Sequence, residues 1–406
     1  MGARAVFFMN SREQELFDKL LSPHSRRDFI KRVGALGLSA SALTAFLEAC
    51  GSSTSTGSST SSSRPNMAGP IDIQTLITNA KKEGGLQAIG IPPEWADYAD
   101  ILAGYTNHYG IPISYKVEAE YSSAQVLVVF KNSKAHPHGD IGDVGFRFGP
   151  EAVQQGLVTP YKHAYWNDID PSLKDANGNW CTEYYGAQAF VINTDIVKNP
   201  PATFQDLLKN DYKNMVGIDG DPRQANDAFL AVYSAALANG GSLDNIQPGI
   251  DFFAKLKQKG NFTVTQSRIA NMARGEVPIA IMWDYLGLGF RDQLAGKPSL
   301  SVVIPSDASI AGPYVSIVNK TAPHPFAARL WIEYIFSDEG QLFYLKSYAH
   351  PARYQKLAAT GKVPADLAAK LPPAAQYANL KFPSLAQLTA ASTPVYQNWG
   401  TQVLGS

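Results

Sequence analysis

The residues that could do chemistry gather in a few short stretches. "IMWDYLGLGF" (281–290) ends an apolar run in Trp283 and Asp284 and continues into what reads as a glycine-punctuated turn. An indole face stacks on an alkyl chain or a cation, and a neighbouring carboxylate opposes positive charge. "SSAQ" (122–125) has the form of a capping box, in which Ser122 caps a helix and Gln125 reaches back to it. "EAEY" leads straight into it, so Ser122 and Ser123 should stand where a strand turns into a helix, beside free amides and a positive dipole end. "GFRFG" (145–149) sets Arg147 between Phe146 and Phe148, and Arg223 lies in the turn "GDPRQAND" (220–227). Two guanidinium groups near a helix start could clamp a phosphonate, phosphate or carboxylate. Cationic and anionic solutes therefore both fit at this level. His136, His138 and Asp140 in "HPHGD" have a spacing a metal could use, but loop polarity explains them more simply, and no metal is expected. No G-x-S-x-G, H-E-x-x-H or P-loop occurs, so the expectation is a binder and not an enzyme. An exported hydrolase with paired carboxylates and an adhesive surface protein are the rivals.

These stretches need elements to position them. "LQAIGI" (86–91), "ISYKVE" (113–118), "DIGDVGF" (140–146), "AFVIN" (189–193), "MVGID" (215–219), "PIAIMW" (278–283), "LSVVIP" (300–305) and "YVSIVN" (314–319) read as strands. Between them Phe229, Val232, Tyr233, Ala236 and Leu237 share one helical face, as do Phe326, Leu330, Trp331, Tyr334 and Ile335. Alternation of strand and helix implies an α/β fold with largely parallel sheets and right-handed crossovers. Such sheets bind ligands beyond the carboxyl ends of their strands.

The beginning of the chain is of another kind. Arg26, Arg27, Lys31 and Arg32 precede an uncharged apolar stretch, Val33 to Leu47, and "LEAC" places a small residue before Cys50. A basic flank, a short apolar core and a small-residue cleavage site describe an export signal. The core falls short of the roughly 20 apolar residues of a spanning helix. "GSSTSTGSSTSSS" (51–63) lacks the apolar surface that would order it and reads as a tether. If Cys50 is modified, the second cysteine, Cys181, has no intramolecular partner. Residues 1–49 carry seven basic and five acidic side chains, so removing them leaves 28 basic against 30 acidic, and nothing basic enough for nucleic acid. About 340 residues remain for the fold, enough for two lobes of ordinary domain size.

"SRRDFIK" resembles a twin-arginine export signal, and "LEAC" resembles the lipobox of bacterial lipoproteins. The order of the segments that follow resembles the extracytoplasmic solute-binding proteins of ABC importers, the type with two hinge crossings, with polyamine, iron and phosphonate binders among its relatives. "NAKKEGGLQAIG", "GDIGDVGF", "VINTDIV", "PATFQDLL", "DYKNMVGI" and "NKTAPHPFAARLWIEYIFSDEGQ" carry the likeness in that order. It implies a two-lobed α/β fold, each lobe a mostly parallel sheet flanked by helices, with a ligand cleft between the lobes. It implies a signal at 1–49, a tether at 50–68, lobe one at 69–193, lobe two at 194–309, and a return to lobe one with the closing helices at 310–406. The protein would be a monomer without cofactor, lipid-anchored outside the cell membrane through Cys50. It would capture a small polar or charged solute for membrane permease and ATPase subunits. In polyamine-binding members a tryptophan stands where Trp283 is, and an acidic ligand residue where Asp221 is. Gln224 replaces a second acid and Tyr314 replaces a key aspartate, so a doubly charged polyamine would lose much of its charge pairing. A ferric-ion or phosphonate binder of the same fold is the alternative. The adjacent tyrosines used by iron binders occur only as Tyr184-Tyr185, ahead of the hinge strand.

Overall fold

The computed structural model describes residues 71–369, 374–377 and 380–405. Arg26, Arg27, Cys50 and the expected signal and tether lie outside them. The strands are β1 (Leu86–Ile89), β2 (Ile113–Ser114), β3 (Ile141–Gly145), β4 (Cys181–Asn193), β5 (Val216–Ile218), β6 (Ile279–Trp283), β7 (Leu300–Val303), β8 (Ala311–Val318) and β9 (His350–Pro351). They join in the order β2-β1-β3-β8-β4-β6-β5, with β7 and β9 also paired to β4. The longer helices are α1 (Ile73–Glu83), α2 (Tyr98–Tyr109), α3 (Ser123–Asn132), α4 (Phe148–Gln154), α5 (Asn226–Ala238), α6 (Gln247–Gln258), α7 (Asp284–Leu294), α8 (Pro325–Ile335), α9 (Asp338–Lys346) and α10 (Leu385–Asn398).

Strand β4 divides the molecule. Its first half, Cys181 to Ala187, pairs with β8, and its second half, from Gln188 on, pairs with β6 and β7. One continuous strand thus belongs to two sheet regions, each with its own helices, and the pairing changes hands at Ala187/Gln188. The outer pairs β1–β2, β1–β3 and β5–β6 are parallel, as strand–helix alternation requires, whereas the strands that cross between the regions pair antiparallel.

Two stretches differ from their expected form. "ISYKVE" keeps only Ile113 and Ser114 as strand; the chain then turns, and Glu118 accepts a hydrogen bond from Gly90 N at 2.9 Å. The glycine-punctuated turn expected after Trp283 is helix α7. Gly287 sits inside it because a side chain there would strike Val191 of β4, so the glycine serves close helix–strand packing and does not break the helix. The end of the chain also departs from the expected return of 310–406 to lobe one. Lys381 bridges to Ile310, and α10 with its π-helical extension (Trp399–Leu404) then packs on α6 of the second region. Trp399 meets Phe253 edge-on at 5.4 Å, and Asn398 bonds Gln247. Helix α5 is buried along nearly its whole length, between α6 and strands of both regions. Its apolar residues therefore extend beyond one face.

Candidate functional site

A cavity of about 240 Å³ opens between the two regions. One wall is Gly90, Trp95, residues 119–123 and 125, Asp143 and Tyr314; the other is residues 219–221 and 224–227 with Gln266 and Arg268. The capping box forms as the sequence reads: Ser122 Oγ accepts from Gln125 N at 3.4 Å, and Gln125 Oε1 accepts from Ser122 N at 2.9 Å. Ser123 Oγ accepts from Gly145 N at 3.0 Å, which fixes the start of α3 against the end of β3. The start of α5 faces it. Gly145 has no side chain, and the Asn226 side chain fills the place where its Cβ would stand. Both amide atoms of Asn226 are buried without a hydrogen-bond partner. First-turn amides of both helices lack partners within their own helices.

The walls are strongly acidic. Asp143 Oδ2 accepts from the Tyr184 hydroxyl at 2.9 Å, while its Oδ1 is buried with no donor. Burial first, and then the Glu183 carboxylate, pushes the Asp143 carboxyl well above its usual range. Asp227, in the first turn of α5, accepts from Gln188 Nε2 and from Trp283 N; burial and then Asp219 push it well up. Burial also raises Asp219, against the pull of Arg268, whose Nε lies 3.4 Å from Asp219 Oδ1. Arg268 Nη1 reaches Glu120 Oε2 at 3.0 Å across the cavity. Burial and a hydrogen bond with Glu94 raise Glu120 to about 7. Tyr314 is buried among these acids, its hydroxyl pushed up by burial and then by Asp227, Asp143 and Asp219. Trp95 stands edge-on to it at 5.9 Å. A buried carboxylate oxygen without a donor is costly unless a hydrogen-bonding cation meets it. The arrangement can hold a small solute by charge and stacking, and brings together no nucleophile with a base.

Residues 138–388 match the family described as bacterial extracellular solute-binding protein. The chain belongs to that family. It is 24% identical over 244 residues to a Salmonella typhimurium periplasmic protein named for 2-aminoethylphosphonate binding, spanning 58% of this chain and 68% of the relative. In fold it is similar to the periplasmic binding protein AfuA of Actinobacillus pleuropneumoniae, solved with fructose-6-phosphate bound, with a TM-score of 0.63, 19% identity, and coverage of 80% of this chain and 99% of AfuA. It is also similar to a structure named for a spermidine/putrescine ABC transporter of Listeria monocytogenes, with a TM-score of 0.59, 15% identity, and coverage of 78% and 98%. Those folds are two-lobed, and the cavity of this solute-binding protein is the cleft between its lobes.

Of the residues expected from sequence, Ser122, Ser123, Asp221 and Tyr314 line the cleft and the others do not. Trp283 is wholly buried one layer behind, and its Nε1–H donates to the Tyr314 hydroxyl at 3.1 Å. Asp284 faces the hinge: Oδ1 accepts from Ala187 N at 2.9 Å and Oδ2 from the Tyr377 hydroxyl at 2.7 Å. Phe146 is buried edge-on to Trp180 at 5.3 Å. Arg147 lies over the rings of Phe148 and Phe229 at 4.1 and 4.5 Å and donates to Ser392 Oγ at 3.3 Å. It ties the lobes together through neutral contacts and does not line the cavity, while its Nε is buried without a hydrogen-bond partner. Arg223 folds back on Asp221, with Nη2 2.6 Å from Oδ2; burial would raise Asp221, but these bonds outweigh it and hold the carboxyl below its usual range. Asp140 accepts from His324 Nδ1–H, and His138 pairs with Glu118 at 2.8 Å, so the "HPHGD" residues point to different partners. Asp143, Asp219, Asp227, Glu120, Trp95 and Arg268 were missed. A signal for two of them existed: Asp143 interrupts the apolar "IGDVG" in the middle of a buried strand, and Asp219 directly follows the buried strand of "MVGID".

Proposed function

We propose that this protein is the solute-capturing component of an ABC importer, and that its solute is small and carries a protonated amine. The observation behind the reading is the unpartnered Asp143 Oδ1, buried in a cleft where Asp219, Asp221, Asp227 and Glu120 outnumber Arg268, the single lining cation among the described residues. An ammonium brings three donors and the opposite charge. Trp95 and Tyr314 offer ring surface for the chain that bears it. The facing starts of α3 and α5 favour an acidic group at the solute's other end. 2-Aminoethylphosphonate, for which the Salmonella relative is named, has both ends. The cleft, smaller than the roughly 300–1,000 Å³ of drug-sized ligand sites, suits a solute of that size.

The two lobes divide within β4, at 187/188, and again at 309/310, with 385–404 packing on the second lobe. A lipid on Cys50 holds the protein outside the cell membrane, where a permease and its ATPase subunits receive the solute; Cys50→Ser should release it into the soluble fraction. The ligand is tested by thermal shift and calorimetry against 2-aminoethylphosphonate, putrescine, phosphate and ferric citrate. Amine-bearing compounds should raise Tm, a ligand at a hundredfold its Kd adding about 2.7 kcal/mol of stability. Stabilisation by phosphate or ferric citrate without any response to amines would overturn the reading.

A further inference from the structure

We propose that Arg268 sets the charge of the solute: its guanidinium serves as a built-in second cation, so that the cleft accepts one ammonium group and turns away diamines. The proposal rests on the amine reading above. The carboxylates of the cleft fall into two groups that differ in what already faces them. Asp143 and Asp227 have only neutral partners: the Tyr184 hydroxyl, the Gln188 amide and the Trp283 backbone N–H. Glu120, which is exposed, and Asp219, which is buried, instead share Arg268, at 3.0 and 3.4 Å.

Arg268 is held there from both lobes. It directly precedes the short helix Ile269–Ala273 on the second wall, and Glu120 comes from the first. Burial would lower its pKa, but Asp219 and Glu120, followed by Glu94 and Asp227, outweigh this and raise it. Its positive charge is thus fixed. A solute ammonium at Asp143 and Asp227 meets no cation of the protein there. A second ammonium on a short carbon chain would have to sit beside the guanidinium or displace it from two carboxylates. Like charges a few ångströms apart in a partly desolvated cleft repel strongly. An acidic group on the same solute is not repelled by the guanidinium and can turn to the facing starts of α3 and α5. Arg268 therefore separates aminoalkyl acids from diamines of similar length, although the cleft holds enough carboxylates for either.

The test is calorimetry on the full protein with two probes, 2-aminoethylphosphonate and putrescine, in wild type, Arg268→Gln and Arg268→Lys. Wild type should bind the first and reject the second. Arg268→Gln frees Glu120 and Asp219 and should gain about tenfold or more in putrescine affinity. Arg268→Lys keeps the charge and should reject putrescine as wild type does, which separates charge from the loss of a well-fitting side chain. Three results would overturn the proposal: wild type binding both probes equally, Arg268→Gln gaining nothing for putrescine, or Arg268→Gln losing 2-aminoethylphosphonate more than about tenfold, which would make Arg268 a clamp on the acidic group. If wild type binds neither probe, the amine reading falls with it.

Discussion

Two tryptophan–aspartate combinations in the molecule have opposite characters. Trp283 and Asp284 are fully buried and satisfied: the indole N–H has the Tyr314 hydroxyl, and each Asp284 oxygen has a donor. Trp95 and Asp143 stand at the cleft. Trp95 is half-buried, and one Asp143 oxygen is buried with nothing to bond. Residue types alone do not separate the two; partners do. A polar group whose needs are met within the chain has a structural task, and one whose needs are left open awaits something from outside. Trp283 and Asp284 look the more functional in sequence because they are adjacent and end a strand, yet they form the frame behind the site.

Substitutions can break this contrast. Trp283→Ala should cost about 3–5 kcal/mol of stability, the usual range for a buried tryptophan. Any loss of solute affinity should follow from lost folding. Asp143→Asn should do the reverse, leaving Tm nearly unchanged while solute affinity drops by about 2–3 kcal/mol, a charge-assisted contact. Urea denaturation and calorimetry on both variants decide the matter. A stable Trp283→Ala protein that fails to bind would return Trp283 to the cleft.

The same contrast explains what could be read from sequence. Strand positions and the α3 cap were legible, because periodicity and capping chemistry are local; Ser122 and Gln125 bond as their spacing predicts. The assignment to solute-binding proteins was legible through the order of segments. Which side of an element faces the cleft was not. Asp284 and Asp227 both fall in the first turn of a helix, and only the fold turns one to Ala187 and the other to the cavity. Arg147 and Arg223 looked like free charges because their partners, the Phe229 ring and Asp221, depend on tertiary contact or turn geometry.

A second test uses pH. Behind Asp143 lies Glu183, buried, with Oε2 accepting from the Tyr344 hydroxyl at 2.5 Å and Oε1 without a donor. Burial is the main reason its pKa rises from 4.5 to about 7. The folded state therefore holds a proton that the unfolded chain releases at lower pH. Stability falls as pH rises from about 4.5 to about 7 and is level above. Glu183→Gln removes the ionisable group and keeps the size and shape of the side chain. It should raise stability at pH 8 by about 1–3 kcal/mol and leave it unchanged near pH 4. Thermal melts at the two pH values measure the difference, and an equal effect at both would mean that Glu183 is not protonated in the folded protein.

The smallest effect joins the two neighbourhoods. The Trp283 Nε1–H to Tyr314 Oη bond links the buried frame to the cleft wall at Tyr314. Its two ends are unequal. Trp283→Phe removes the donor and leaves the Tyr314 hydroxyl facing a cavity, where water or solute can replace it. Tyr314→Phe removes the acceptor and strands an indole N–H in the interior, which costs about 1–3 kcal/mol. Tyr314→Phe should therefore be the more destabilising, although it deletes one oxygen and the other variant a whole ring. Urea denaturation of wild type, both single variants and the double variant isolates the bond, with an expected coupling of about 0.5–1.5 kcal/mol. A coupling of zero would mean that Trp283 fills space behind the site without holding Tyr314, and the frame would then act on the cleft by packing alone.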